Sequence, residues 1–163
     1  MAEKLIKLSA RLMTVAGFIE KGSNVADIGT DHGFLPVYLA QNGLAQLIIA
    51  SDKSSGSLKA ALRSAEKFGV TDKISFVVAP GLEGIDKAGV DTIVIAGMGG
   101  ETILGILADA QWTRSLGISL ILQPQTKIEK LCEWLHENGF IIHETKHVRD
   151  KGRLYTVIVA AGA

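Results

Sequence analysis

The sequence has little cysteine and little proline, and it carries no excess of positive or negative charge. One cysteine and three prolines occur among 163 residues. A single cysteine excludes an intrachain disulfide framework and a thiolate metal cluster, and it fits a reducing compartment. His136, His143 and His147 have no metal-ligand spacing, so we expect no metal. We therefore expect a cytoplasmic protein whose stability comes from an apolar core.

Long apolar runs are absent as well. No apolar segment reaches the roughly 18–20 residues that span a bilayer. Glu3, Lys4 and Lys7 interrupt the hydrophobic stretch that a signal peptide would need. We therefore expect no membrane contact. Seventeen basic residues balance 17 acidic residues, and this balance argues against a strongly basic nucleic-acid binder.

Apolar and glycine residues, by contrast, are plentiful. Hydrophobic residues make up 47% of the chain, which also holds 18 glycines. This apolar fraction excludes a disordered chain, and the length suits one domain with its own core. No repeat, linker or charge run divides the sequence, so we expect a single domain over residues 1–163.

The pattern along the chain alternates between strands and helices. An apolar stripe predicts a first helix over residues 3–20, with Lys4, Lys7 and Arg11 on another face. Two extended runs, 140–148 and 154–160, flank a turn and predict an antiparallel hairpin. Between them, short apolar runs predict buried strands at 25–29, 47–52, 74–78, 91–96 and 119–122, separated by helices at 35–41, 57–68, 101–110 and 127–138. Such alternation indicates a doubly wound, mostly parallel α/β sheet.

The loop after the first predicted strand, residues 27–33, is the sharpest functional signal. Ligands bind beyond the carboxyl ends of the strands in open α/β sheets. The loop has only two glycines of the dinucleotide pattern G-x-G-x-x-G. Asp27 and Asp31 would repel a pyrophosphate but favour a cationic ligand such as the sulfonium and amino groups of S-adenosylmethionine. A glycine-rich turn capped by Asp31 is the structural alternative.

Three other strand ends hold candidate contacts, each with a structural alternative. Asp52 could accept hydrogen bonds from ribose hydroxyls, or cap the helix that begins near Ser54. Three glycines in residues 97–100 indicate close backbone access for a substrate base, or a sharp strand-to-helix turn. The amides of Gln123 and Gln125 could bond a base edge, or Pro124 could simply end a strand.

Several segments together resemble the bacterial tRNA (adenine-22-N1)-methyltransferase family. They are residues 8–12 (LSARL), 26–32 (ADIGTDH), 35–36 (LP), 95–100 (IAGMGG), 120–124 (LILQP) and 152–157 (GRLYTV). The resemblance covers residues 5–160. It implies the seven-stranded class I methyltransferase fold, with a Rossmann-like sheet that ends in an antiparallel hairpin. It also implies S-adenosylmethionine as cofactor and tRNA as substrate.

The resemblance implies a role for each matching residue. Asp31 is the candidate catalytic carboxylate. The residues implied for the cofactor are Asp27, Gly29, Thr30, His32, Gly33, Asp52, Pro80, Gly81, Leu82 and Gly97, with Asp52 at the ribose and residues 80–82 beside the adenine. Those implied for the substrate are Arg11, Met98, Gly99, Gly100, Gln123 and Pro124.

The chain departs from the family pattern at three places. Pro80 stands where the family has Asp or Asn, and Ala10 stands where it has Lys. The family's C-terminal helical domain has no counterpart before Ala163, so we expect weak, salt-sensitive tRNA binding. Two alternatives to a methyltransferase stay open, namely a dehydrogenase-like nucleotide-binding protein and an S-adenosylmethionine-binding module that has lost its catalysis.

Overall fold

A seven-stranded sheet forms the centre of the molecule. The computed structural model describes residues 4–85 and 89–163. The strands are β1 (Ser23–Ile28), β2 (Ala45–Asp52), β3 (Ser75–Val78), β4 (Thr92–Met98), β5 (Ser119–Pro124), β6 (Phe140–Asp150) and β7 (Arg153–Gly162), in the spatial order β3-β2-β1-β4-β5-β7-β6. Strands β1 to β5 pair in parallel, whereas β7 is antiparallel to β5 and β6. The expected fold class is confirmed.

Helices cover both faces of this sheet. Because side chains alternate between the two faces along each strand, the core residues show which face each helix covers. The helices are α1 (Ala10–Gly17), α2 (Phe34–Gln41), α3 (Ser55–Lys67), α4 (Gly100–Ala108) and α5 (Ile128–Glu137). Val25 and Val94 belong to the core cluster shared with α1, α2 and α3. Ala26 and Ile93, their immediate neighbours, belong to the cluster shared with α4 and α5. The helices that follow β1 and β4 therefore lie on opposite faces.

The first helix is shorter than its apolar stripe predicts. Helix α1 begins at Ala10 because the Ser9 hydroxyl accepts a hydrogen bond from the N–H of Leu12 at 3.3 Å. Residues 4–9 are not helical, and the Gln41 side chain holds them through the N–H of Ile6 and the carbonyl of Lys4. The predicted helical stripe of Lys4, Lys7 and Arg11 was therefore wrong, and Glu3 lies outside the described residues.

The hairpin forms where the sequence predicts it, with longer strands and a tighter turn. Lys151 and Gly152 have φ angles of 51° and 79°. Positive φ at both central residues matches the two-residue turns whose twist suits paired strands. Among the described residues, no helix is long and apolar enough to cross a membrane.

Candidate functional site

A cleft of about 760 Å³ opens at the carboxyl edge of the sheet. It lies beyond the ends of the adjacent strands β1 and β4, whose following helices go to opposite faces. Such a switch point is where open α/β sheets bind their ligands. Twelve of the 17 site residues named from the sequence line this cleft: Arg11, Asp27, Gly29, Thr30, Asp31, His32, Asp52, Pro80, Gly81, Gly97, Met98 and Gly99. The cleft is large enough for a ligand of a few hundred daltons.

Asp27 is the buried acid at the floor of the cleft. Its Oδ2 accepts a 2.8 Å hydrogen bond from the Thr30 hydroxyl. Burial raises the pKa of Asp27 to about 7, although the Thr30 hydrogen bond and the positive charge of Arg11 act in the opposite direction. The negative charge of Asp52 raises this pKa further. Asp27 is therefore poised to ionise when a cationic group enters the cleft.

Asp52 ties two loops of the cleft together. Its Oδ2 accepts the N–H of Asp31 and its Oδ1 accepts the N–H of Ser54, both at 3.0 Å. The cap of α3 is Ser54, whose hydroxyl accepts the N–H of Ser57. The alternative interpretation of Asp52 as the helix cap was therefore wrong. Each carboxylate oxygen keeps one further lone pair for a ligand.

Asp31 stands at the mouth of the cleft. Its side chain is 69% exposed, and its φ of 55° is unusual for a residue other than glycine. The hydrogen bond to Asp52 holds this backbone conformation. The His32 ring stacks on Phe34 with centroids 5.3 Å apart, and His32 Nε2 lies 3.9 Å from Asp31 Oδ2. A carboxylate and two stacked rings thus border the opening.

A β-bulge shapes the opposite wall. The β4–β5 register shifts between Ala96 and Met98, which leaves Gly97 outside the ladder with a φ of 79°. Gln123 Oε1 accepts the free N–H of Gly97 at 3.1 Å, and it also accepts a 2.7 Å hydrogen bond from Arg11 Nη1. Gln123 is completely buried. Its amide therefore lies behind the cleft wall, where it holds two residues that line the cleft.

Five site residues named from the sequence do not line the cleft: Gly33, Leu82, Gly100, Gln123 and Pro124. A Cβ at Gly33 would come within 2.7 Å of the Ala61 Cβ. A Cβ at Gly100 would come within 2.6 Å of the Thr126 carbonyl oxygen. Leu82 belongs to the core, and Pro124 pairs with Met98 in the sheet. Tight packing therefore accounts for both glycines, and the functional roles given to these five residues stay predictions.

Several residues of the cleft were not predicted from the sequence. Thr102 and Ile106 line it from one face of α4, and Phe34 lines it from the start of α2. The i, i+4 spacing of Thr102 and Ile106, after a glycine-rich strand end, was the signal that could have identified them. Within the described ranges no three His, Cys, Asp or Glu side chains cluster as metal ligands would. The absence of a resident metal stays a prediction.

Known proteins share this fold and these sequence features. Residues 8–158 match the family model described as a methyltransferase domain. The crystal structure of the Bacillus subtilis m1A22 tRNA methyltransferase TrmK has a TM-score of 0.89 and 38% identity, over 96% of this chain and 67% of that one.

The chain belongs to the tRNA (adenine(22)-N(1))-methyltransferase family.

Other members of that family give the same result. A curated tRNA (adenine(22)-N(1))-methyltransferase of Bacillus subtilis is 39% identical over 95% of this chain, which spans 65% of that relative's length. The structure of M. capricolum TrmK in complex with S-adenosyl-homocysteine has a TM-score of 0.84 and 33% identity, covering 95% of this chain and 69% of that one. The resemblance inferred from the motifs is thereby confirmed.

Proposed function

We propose that this chain binds S-adenosylmethionine in the cleft and transfers its methyl group to N1 of an adenine in tRNA, at position 22. The observation that carries the proposal is the placement of Asp27, Asp31 and Asp52 around one cleft at the switch point of a sheet of this family. Because tRNA is the substrate and the chain has a single cysteine, we assign the activity to the cytoplasm.

The residues of the cleft fit the cofactor by charge and shape. The acidic floor at Asp27 suits a cationic amino group, and the free lone pairs of Asp52 suit a ribose diol. Gly81 lies beside Ile106 of α4, and both line the cleft with Pro80, so an adenine ring could pack between apolar groups there. Pro80 has no side-chain hydrogen-bonding group, so this chain would hold the adenine by packing. The acidic first loop also disfavours a dinucleotide pyrophosphate.

Methylation of adenine at N1 does not need a general base. Adenine N1 carries a lone pair, and the cofactor, when bound, supplies the methyl group on a sulfonium. The protein must extract the base from its stack and align it for attack. Phe34 and His32 offer ring faces at the mouth, where the base would enter. Asp31 would stabilise the positive charge that develops on the base as its N1 becomes methylated.

Incubation of bulk tRNA lacking the modification with labelled S-adenosylmethionine tests this proposal. We expect label in 1-methyladenosine at position 22, and none in tRNA whose position 22 is guanosine. Calorimetric titrations with S-adenosylhomocysteine and with NAD provide the second measurement. Binding of NAD alone would overturn the proposal in favour of a dehydrogenase-like protein. Binding of S-adenosylhomocysteine without methyl transfer would overturn it in favour of a non-catalytic module.

A further inference from the structure

Cations lie on both faces of the β6–β7 hairpin near its tip, since Arg149 pairs with Leu154 and Arg153 pairs with Asp150. We propose that the tip of the β6–β7 hairpin, carrying Arg149, Lys151 and Arg153, is a docking surface for the phosphate backbone of the RNA whose adenine enters the cleft. This inference rests on the proposed function and deepens it, because it assigns RNA binding to residues of this chain that the methyl-transfer chemistry does not use.

The register of the sheet places the hairpin tip at the edge where the cleft opens. Leu122, near the carboxyl end of β5, pairs with Ile158 of the antiparallel strand β7. Strand β7 begins at Arg153, so its first five residues extend past Leu122 on that side. The Asp150 carboxylate accepts the N–H of Arg11 at 3.1 Å, which fixes the hairpin against the start of α1.

Positive charge continues from the cleft wall to the hairpin. The Arg11 guanidinium lies 5.9 Å from the centroid of the Tyr155 ring, and the Arg153 guanidinium lies 5.8 Å from the same centroid. One aromatic ring thus holds two guanidinium groups in position. Because Arg11 lines the cleft, an RNA strand that reaches the cleft can contact Arg153 and then the hairpin tip.

The hairpin cations have no carboxylate partners in the part of the chain that the structure describes. Arg149, Lys151 and Arg153 are exposed, and none forms an ion pair within 4.0 Å there. The nearby Asp150 carboxylate accepts the backbone N–H of Arg11 and forms no ion pair with these cations within 4.0 Å. Exposed cations beside a cleft complement a polyanion, whose binding they favour by releasing its counterions.

Acidic residues on α5 limit where such a polyanion can lie. Glu129, Glu133 and Glu137 are exposed and follow one another at intervals of four residues along this helix. They form a negative stripe that would repel phosphates. Phosphate groups therefore meet more repulsion along this row of glutamates than at the three hairpin cations.

The test compares two triple variants that lose the same charge. The hairpin variant carries Arg149→Gln, Lys151→Asn and Arg153→Gln, with Asn chosen because it tolerates the positive φ of residue 151. The matched control carries Lys59→Gln, Arg63→Gln and Lys73→Gln, three exposed cations on α3 and the turn after it. Binding to bulk unmodified tRNA is measured by fluorescence anisotropy over a series of salt concentrations, and thermal unfolding and titration with S-adenosylhomocysteine verify each fold.

We expect the hairpin variant to bind tRNA at least about tenfold more weakly at low salt, with the slope of log K against log salt reduced by about two to three. The control variant should change binding by less than about twofold, and both variants should keep the affinity of the wild type for S-adenosylhomocysteine. Equal weakening in the two variants would overturn the docking surface, because net charge alone would then explain the effect. If the wild type methylates tRNA and the hairpin variant binds tRNA with unchanged affinity, the docking surface is overturned but the proposed function is not. A wild type that neither binds S-adenosylhomocysteine nor methylates tRNA overturns both.

Discussion

The Arg11 guanidinium donates a 2.7 Å hydrogen bond to the side-chain oxygen of Gln123, a residue 112 positions away in the chain. The same oxygen accepts the N–H of Gly97, which the bulge in β4 leaves without a backbone partner. One buried amide therefore joins α1, β4 and β5 at the wall of the cleft. Because the sequence distances are so large, this arrangement exists only in the folded chain.

Replacing Gln123 with Leu should destabilise the protein by about 2–4 kcal/mol. The change removes the acceptor of the Gly97 N–H and of the Arg11 guanidinium. A hydrogen bond between neutral groups contributes about 0.5–1.5 kcal/mol, and one to a charged group about 1.5–3 kcal/mol. Chemical denaturation measures the loss. Gln125→Leu is the matched control, because Gln125 is exposed and receives only a 3.3 Å hydrogen bond from Gln123. An equal loss in both variants would contradict the bridging role of Gln123.

The buried carboxyl of Asp27 should make stability depend on pH. Burial raises the pKa of Asp27 to about 7, whereas an aspartate in an unfolded chain titrates near 3.9. Between these values the folded state holds a proton that the unfolded state has released. The free energy of unfolding should therefore fall as the pH rises from about 4 to about 7, by up to about 4 kcal/mol, and level off above.

Urea unfolding of the wild type and of Asp27→Asn at about pH 5 and about pH 8 measures this effect. The difference between the two proteins cancels the other titrating groups, and we expect the variant to gain stability relative to the wild type as the pH rises. Saturating S-adenosylhomocysteine should stabilise the wild type more at the higher pH, because its amino group pairs with the ionised carboxylate. A constant difference between the proteins at both pH values would contradict the raised pKa.

Two glycines of α4 should respond in opposite directions to substitution by alanine. A Cβ at Gly100 would meet the carbonyl oxygens of Thr126 and Lys127, both within 2.6 Å, whereas a Cβ at Gly105 has nothing within 4 Å. Gly100→Ala should therefore destabilise the protein by about 1–3 kcal/mol through overpacking. Gly105→Ala should stabilise it by about 0.5–1 kcal/mol, the usual gain of alanine inside a helix. Thermal unfolding compares the two variants, and a stabilised Gly100→Ala would show that packing does not require this glycine.

The order of strands and helices could be predicted because it depends on local periodicity. Apolar runs identified β1 to β5. The start of α1 could not be predicted from periodicity, since the Ser9 cap and the contacts of Gln41 with residues 4–6 decided it. Local periodicity does not predict where a helix begins when a side chain that is distant in the sequence supplies hydrogen bonds to the preceding residues.

The cleft could be predicted only in outline. Loop 27–33 and Asp52 were identified because the carboxyl ends of parallel strands meet at one edge. The difference between glycines that line the cleft and glycines that pack could not be read from the sequence. Gly97 and Gly100 belong to one motif, yet Gly97 lies in a bulge beside Arg11 and Gly100 lies against the backbone of Thr126. The two glycines differ because the loop between β5 and α5 packs against Gly100.

Asp31 should contribute to methyl transfer with little effect on cofactor binding. Its side chain is exposed at the mouth of the cleft, while its backbone N–H is fixed by Asp52. Asp31→Asn removes the charge but keeps a residue that tolerates the φ of 55°. We expect kcat for tRNA methylation to fall by about 10²-fold or more, the usual loss when one stabilising group for developing charge is removed. The dissociation constant of S-adenosylhomocysteine should change by less than about threefold.

Asp72→Asn, which removes an exposed carboxylate from the turn after α3, is the control and should leave both quantities unchanged. Equal methylation by Asp31→Asn and the wild type would contradict the catalytic assignment, because it would show that the charge of Asp31 does not act on the reacting base.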